Sequence, residues 1–168
     1  ELLGSDGWAL LVRDLGGTTA VDEELAVIAG AVGRTLRPVE VAPEAPWLAW
    51  RGAVGAWPVL LRIGADPAAW DDAAALAREH LGDGLGTSVT VPRGTVRVGY
   101  AAASPGAVRA LRADAARRGW PVVLERADAS LRATAGVWGE LAPGALRLTG
   151  RLRRVYDPNG VFAVPLLP

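Results

Sequence analysis

The sequence contains no cysteine and only one histidine among its 168 residues. Without thiols the chain can form no disulfide and hold no thiolate-bound metal, and one imidazole is too few for a histidine-based zinc site. Lysine, methionine and glutamine are missing as well, so all 18 basic residues are arginine. We attribute this bias to the codon usage of a GC-rich bacterium, and by itself it says nothing about function.

Long hydrophobic runs are also absent. Apolar runs such as residues 59–61 and 164–167 are far shorter than the ~18–20 residues that a membrane helix needs. No basic segment followed by an apolar run marks a secretory signal. Hydrophobic residues nevertheless make up 51% of the chain and charged residues 21%. This is enough for a packed core, which excludes a mainly disordered chain.

The net charge is zero, but the charges are unevenly distributed along the chain. Residues 1–108 carry 8 arginines and 13 acidic residues, and residues 109–168 carry 10 arginines and 5 acidic residues. A nucleic-acid-binding chain normally shows a sustained basic surface. We therefore expect no nucleic-acid partner, whereas a basic C-terminal part that faces an anionic ligand or an acidic partner remains open.

Alternating apolar runs and helical periods predict one α+β domain over residues 1–168. The predicted elements, in chain order, are strand 8–13, helix 18–36, strand 47–51, strand 58–63, helix 66–81, strands 87–91 and 95–102, helix 104–118, strand 120–125, an irregular segment 127–142 and helix 143–156. The first six have the order βαββαβ of the ferredoxin-like arrangement, here extended by a further βαβ. This order predicts an antiparallel sheet with helices mainly on one face and a C-terminal helix.

The sequence offers no strong catalytic motif. The glycine-rich segment 82–86 follows a predicted helix and precedes a strand, whereas a phosphate-binding loop needs the reverse order. His80 lies near the end of a predicted helix, where a positive charge is favourable to the helix dipole. We therefore assign neither a catalytic residue nor a metal ligand.

Arg62 and Arg97 each interrupt an otherwise apolar strand. A guanidinium on the open face of a sheet suits the recognition of a carboxylate, and plain solvent exposure is the alternative. Tyr100 follows Arg97 by three residues, so strand alternation predicts that the two lie on opposite faces. A separate cluster of aromatic residues, which could belong to the core or to an interface, consists of Trp47, Trp50 and Trp57.

The C-terminal segment carries the most specific pattern. An amphipathic helix runs into the sequence Asp-Pro-Asn-Gly-Val-Phe over residues 157–162. This resembles the ending of FAD-linked oxidases of the vanillyl-alcohol-oxidase type. Looser matches at 59–63, 94–100 and 117–120 resemble, in the same order, the C-terminal half of the glycolate oxidase FAD-binding subunit. The resemblance covers nearly the whole chain, although residues 163–165 replace the family's Asn-Pro-Gly.

The resemblance implies that this is the C-terminal cap or substrate domain of a longer cytoplasmic flavoprotein. FAD would be held mainly by an N-terminal domain absent from this sequence, and the initial Glu1 in place of Met agrees with a preceding segment. The implied reaction is oxidation of a 2-hydroxy acid such as glycolate to the 2-oxo acid, with Arg62 and Arg97 on the substrate carboxylate. The residues implied to lie near the cofactor are Asp157, Asn159, Gly160 and Phe162.

The implied partners are other subunits of a glycolate-oxidase-like complex, and membrane association through those subunits stays open. Residues 1–168 alone are expected to be inactive. Two functions without catalysis also fit the residues. One is a standalone ferredoxin-like ligand-binding module, and the other is a subunit-assembly domain.

Overall fold

The computed structural model describes residues 2–4, 8–10, 17–32 and 45–161. Within these residues the strands are β1 (Leu2–Gly4), β2 (Trp8–Leu10), β3 (Val59–Gly64), β4 (Gly86–Thr90), β5 (Thr95–Tyr100) and β6 (Val122–Arg126). The helices are α1 (Thr18–Val32), α2 (Ala45–Ala56), α3 (Trp70–Leu81), α4 (Pro105–Arg117), α5 (Ala129–Ala135) and α6 (Pro143–Tyr156). Short 3-10 turns at Pro67–Ala69 and Val91–Arg93 lead into α3 and β5.

The strands form one sheet in the order β2-β1-β4-β5-β3-β6. Every pair of neighbouring strands is antiparallel. The expected α+β class is therefore confirmed. The order βαββαβ occurs over residues 59–126, from β3 to β6, rather than beginning at the strand near Trp8.

The βαββαβ order begins later than predicted because the prediction for residues 47–51 was wrong. These residues form the middle of α2 and not a strand. Pro46 lies in the first turn, where a helix needs no N–H from it. Trp47, Trp50 and Val54 recur at spacings of three and four residues and are each partly buried, which is the period of one helix face. The glycines at 52 and 55 are accommodated inside the helix.

A second prediction was wrong for residues 127–142, because this segment contains α5. The Asp128 side chain accepts a hydrogen bond from the Leu131 backbone N–H at 2.8 Å and so caps the helix. Gly136, with φ +69°, ends it. Both signals are present in the sequence, but the helix is only seven residues long.

The other predicted elements within the described residues are confirmed to within a few residues at their ends. The hairpin of β4 and β5, the Ser104 cap of α4 and the final helix all occur where the pattern placed them. The predicted extensions over residues 11–13 and 33–36, and Phe162, lie outside the described residues. None of the described helices is long and apolar enough to cross a bilayer.

The hydrophobic core lies between the sheet and helices α3 and α4. Strand alternation points Leu61, Ile63 and Val96 towards this side, and each is fully buried. Ala73 and Ala77 of α3 and Val108 and Leu111 of α4 cover them, again without exposure. Small residues on α3 let that helix lie close to the sheet. Because the core occupies this face, polar side chains of the central strands lie on the opposite face.

Trp57 packs against this opposite face at a site without side chains. Gly86 and Gly99 are direct partners across β4 and β5 and expose bare backbone to the indole. A methyl group on Gly86 would lie 2.8 Å from Trp57 Cζ2, and one on Gly99 would overlap the ring itself. The absence of side chains at these two glycines therefore leaves the space in which the Trp57 ring packs, and Trp57 is buried at 7% exposure.

We predict that Gly99→Ala lowers the free energy of unfolding by about 1–3 kcal/mol, because the added methyl group overpacks the site and displaces Trp57. Gly52→Ala is the matched control, since no atom lies within 4 Å of its added methyl group. The control should be neutral or stabilising by up to ~1 kcal/mol, because alanine favours the helix. Urea unfolding followed by circular dichroism measures both. Equal stability of the two variants would contradict the packing described for Trp57.

Candidate functional site: an arginine pair bridged by a glutamate

Arg62 and Arg97 are direct neighbours in the sheet. The register of β3 and β5 pairs Arg62 with Arg97, so the two side chains leave the same face at the same level. That face is opposite to α3 and α4, because Leu61 and Ile63 point into the core. The structure thus brings together the two residues that the sequence analysis selected separately.

Both arginines bind the carboxylate of Glu125. Arg62 Nε donates to Glu125 Oε1 at 2.7 Å, and Arg97 Nε donates to Glu125 Oε2 at 2.9 Å. The side chains are 30% exposed for Arg62, 28% for Arg97 and 26% for Glu125. The cluster therefore opens to the surface and carries one net positive charge.

This bridge resolves a conflict that two facing arginines would create. Like charges directly opposite each other on antiparallel strands destabilise a sheet. A carboxylate between them compensates the repulsion through two charge-assisted hydrogen bonds. Plain solvent exposure, the alternative considered for the arginines, therefore does not describe them.

A β-bulge on β6 places Arg126 on the same face as Glu125. Leu61 pairs with Leu124, but Leu60 pairs with Arg126, so Glu125 is an extra residue between two regular pairs. Regular alternation would point Glu125 and Arg126 to opposite faces. The bulge instead places both side chains on the face that carries Arg62. Arg126 pairs with Leu60, and Leu60 and Arg62 share that face.

Arg126 uses this position to hold the C-terminal end of α2. Its Nη1 donates to the carbonyl oxygens of Val54, Gly55 and Trp57 at 2.8–3.0 Å. The last carbonyl groups of a helix have no partner within the helix, and a cation there also complements the helix dipole. The sequence analysis did not single out Arg126, because the bulge that aims it has no evident signal in the sequence.

Trp50 borders the arginine pair on the side of β4. Its Nε1 donates to Ser88 Oγ at 2.9 Å, and Ser88 is the register partner of Arg97. Trp47 meets Trp50 edge to face, with ring centroids 5.9 Å apart. Of the three tryptophans, only Trp57 is fully buried, whereas Trp47 and Trp50 form a partly exposed aromatic wall beside the site.

The segment after α6 forms a tight turn over residues 157–160. The Asp157 carboxylate accepts a hydrogen bond from the Val161 N–H at 2.6 Å, and the Gly160 N–H donates to the Asp157 carbonyl at 3.2 Å. Gly160 adopts φ +63°, which favours glycine. Asp157 is buried at 7% exposure, whereas Asn159 and Gly160 are exposed. These hydrogen bonds build the turn locally and do not connect it to the arginine pair.

Tyr100 lies on the core face, as the alternation with Arg97 predicted. It is 4% exposed, and burial raises the pKa of its hydroxyl to about 12. The phenol is therefore protonated throughout the physiological range and takes no part in the arginine cluster.

His80 lies in the last turn of α3, as predicted, and also links that helix to α4. Its Nε2 lies 3.0 Å from Asp114 Oδ2 on α4, and its side chain is 17% exposed. Arg117 contacts the other oxygen of Asp114 at 2.6 Å. Burial alone would raise the pKa of Asp114, but the hydrogen bond with His80 and the charge of Arg117 outweigh it, so the pKa lies below its ordinary value. This trio therefore ties α3 to α4.

Arg112 has a structural role similar to that of Arg126. Its guanidinium donates to the carbonyl oxygens of Ala135, Gly136 and Val137 at the end of α5, and its Nε donates to the Val122 carbonyl. Burial lowers the pKa of this arginine. Part of the basic charge in the C-terminal region is thus used to cap helices and not to bind a ligand.

Comparisons with known proteins identify no relative. No protein-family model, no curated protein and no solved structure matches the chain. Among the described residues, no group of three histidine, aspartate or glutamate side chains could hold a metal ion. The candidate site therefore rests on its own geometry, which is a two-arginine carboxylate clamp beside an aromatic wall.

We predict that Asp114→Asn lowers the free energy of unfolding near neutral pH and that this loss shrinks on acidification. A carboxyl with a lowered folded-state pKa contributes stability above its unfolded pKa of ~3.9 and loses it as the pH falls through the folded value. Denaturant unfolding at several pH values between about 3 and 7 measures the difference from the unsubstituted chain. Glu79→Gln, on the exposed side of α3, is the control. A loss that stays constant down to pH 3 would contradict the role of the ionised carboxylate.

Proposed function

We propose that residues 1–168 form the substrate-facing cap domain of an FAD-linked oxidoreductase that oxidises a 2-hydroxy acid such as glycolate. The observation that carries the proposal is the arginine pair, because its two guanidinium groups are already arranged around one carboxylate, that of Glu125. A small acid can reach the pair, since all three side chains are more than a quarter exposed.

The arrangement of the domain supports the same proposal. Residues 59–126 have the βαββαβ order and an antiparallel sheet with α3 and α4 on one face. We propose that this is the ferredoxin-like arrangement expected for a cap domain of the oxidases that the sequence resembles. Its open face would then be the one that carries the arginines and meets the substrate.

The cofactor would be held mainly by a separate domain of the same protein. FAD supplies the chemistry of hydride acceptance when it is bound. On the present chain, Asn159 and Gly160 are exposed and could lie beside it. The Asp157 carboxylate is already engaged by the Val161 N–H, so we assign it the role of holding this turn. The role of Arg62 and Arg97 would be to bind the substrate carboxylate and orient the carbon that is oxidised.

The test of this proposal uses the whole protein that contains the chain. We expect the reading frame upstream of Glu1 to encode a flavin-binding domain, and we expect glycolate to bleach the visible flavin absorbance of the purified protein. Arg97→Lys should raise the KM for glycolate by about tenfold or more, because lysine cannot reproduce the planar guanidinium contact. Arg93→Lys, on an exposed turn, is the control. A protein without flavin, or an unchanged KM in Arg97→Lys, contradicts the proposal.

A subunit-assembly function is the second candidate, and α6 is the observation that favours it. Leu148, Leu152 and Val155 lie on one face of this helix and are 57%, 48% and 70% exposed. The helix carries four arginines and no acidic residue. An isolated helix of this length is marginal in water, so its apolar face is expected to gain stability from a partner. Charge complementarity favours an acidic partner.

Helix α1 has the matching chemistry. It carries Asp22, Glu23 and Glu24 without a basic residue, and its Val27 is 72% exposed. We therefore propose a second copy of the chain as the partner in this candidate, with α6 of each copy on α1 of the other. Because each copy would contribute the same contact to the other, the result would be a closed dimer.

We expect sedimentation velocity of the chain to show a dimer at low ionic strength that weakens as salt is added, because the helices carry opposite charge. Leu152→Ser should shift the chain to monomer by removing an apolar contact. Leu85→Ser, which changes an equally exposed leucine outside α6, should leave the dimer intact. A monomer under all conditions, or a dimer unaffected by Leu152→Ser, excludes this candidate.

A further inference from the structure

We infer that Glu125 selects ligands that carry a hydroxyl group next to their carboxylate. The two arginines take the ligand carboxylate, and the Glu125 carboxylate accepts the hydrogen bond that the ligand hydroxyl donates. The inference rests on the proposed function, because it concerns the same arginine pair. It adds the residue that would distinguish a 2-hydroxy acid from a simple acid of the same charge.

The Glu125 carboxylate has hydrogen-bonding positions that its two arginine partners do not use. An ionised carboxylate offers about four lone pairs. The contacts with Arg62 and Arg97 use one on each oxygen of Glu125. One lone pair on each oxygen is left for a donor, and the side chain is 26% exposed. A hydroxyl group of a small ligand is a donor that can use it.

The two guanidinium groups likewise have donors that Glu125 does not use. Each offers five N–H donors, and the described contacts with Glu125 use only Nε of each arginine. The outer Nη groups of Arg62 and Arg97 are therefore available to bind a second carboxylate end-on. Glu125 fixes both side chains through Nε, so it also holds these outer groups in place before a ligand arrives.

The net charge of the cluster matches that of one small acid. The cluster of two arginines and one glutamate has one net positive charge, which a single ligand carboxylate neutralises. A ligand group that has only acceptor atoms, such as a keto oxygen, would face the lone pairs of Glu125 and be disfavoured. A hydroxyl group at the same place would donate a charge-assisted hydrogen bond. The cluster thus favours the 2-hydroxy acid over the 2-oxo acid into which it is converted.

The experiment compares two acids that differ only in the hydroxyl group. The ¹⁵N-labelled chain is titrated with glycolate and with acetate at constant pH and ionic strength, and the Nε–H signals of Arg62 and Arg97 are followed by NMR. A hydrogen bond to a charged group corresponds to a preference of about tenfold or more for glycolate in the unsubstituted chain. We expect Glu125→Ala to reduce the preference to about one, whereas Glu140→Gln, an exposed acidic residue elsewhere, should leave it unchanged.

The ratio of the two affinities is the decisive quantity. Removing Glu125 adds a net positive charge to the site and releases the two guanidinium groups, but both changes act equally on the two anions and leave the ratio of their affinities unchanged. If the preference for glycolate persists in Glu125→Ala, the inference is overturned while the carboxylate-binding proposal stands. If neither acid moves the arginine signals in the unsubstituted chain, both are overturned. Should Glu125→Ala not fold, Glu125→Gln keeps the side-chain length and must lower the preference several-fold.

Discussion

One carboxylate connects three strands on the open face of the sheet. Glu125 of β6 reaches across Arg62 of β3 to Arg97 of β5, and each of its oxygens accepts one charge-assisted hydrogen bond. Without it, the two guanidinium groups would face each other with uncompensated charge. The arginine pair, its orientation and its net charge therefore all depend on this residue, and the function proposed for the open face depends on it in turn.

The two faces of the sheet are built from different interactions. The face under α3 and α4 is held by apolar burial, with alanines that let the helices approach. The opposite face is held by a few directional contacts. Arg126 binds the end of α2, Trp57 lies on bare glycine backbone, and Trp50 donates to Ser88. These contacts fix α2 beside the arginine pair and leave the pair itself accessible.

The sequence predicted those parts of the fold whose signals are local. The alternation of β5 placed Arg97 and Tyr100 on opposite faces, and the Ser104 cap marked the start of α4. The sequence did not predict that Arg62 pairs with Arg97, because the register between strands distant in sequence is not encoded by either strand alone.

The partner Glu125 was missed for a related reason. Its place beside Arg62 appears only when β6 is aligned against β3. Helix α2 was misassigned because its tryptophans favour strands and its glycines favour turns, although its burial pattern follows a helix.

The bulge in β6 also restricts how this protein can change length. Deleting Glu125 would restore regular alternation and leave the following arginine opposite Leu60, but it would remove the carboxylate that joins Arg62 to Arg97. Inserting one residue between β6 and α5 would leave these contacts in place. Over evolutionary time, the end of β6 should therefore keep its length while the nearby loops vary, because the extra residue is the one whose carboxylate joins two other strands of the sheet.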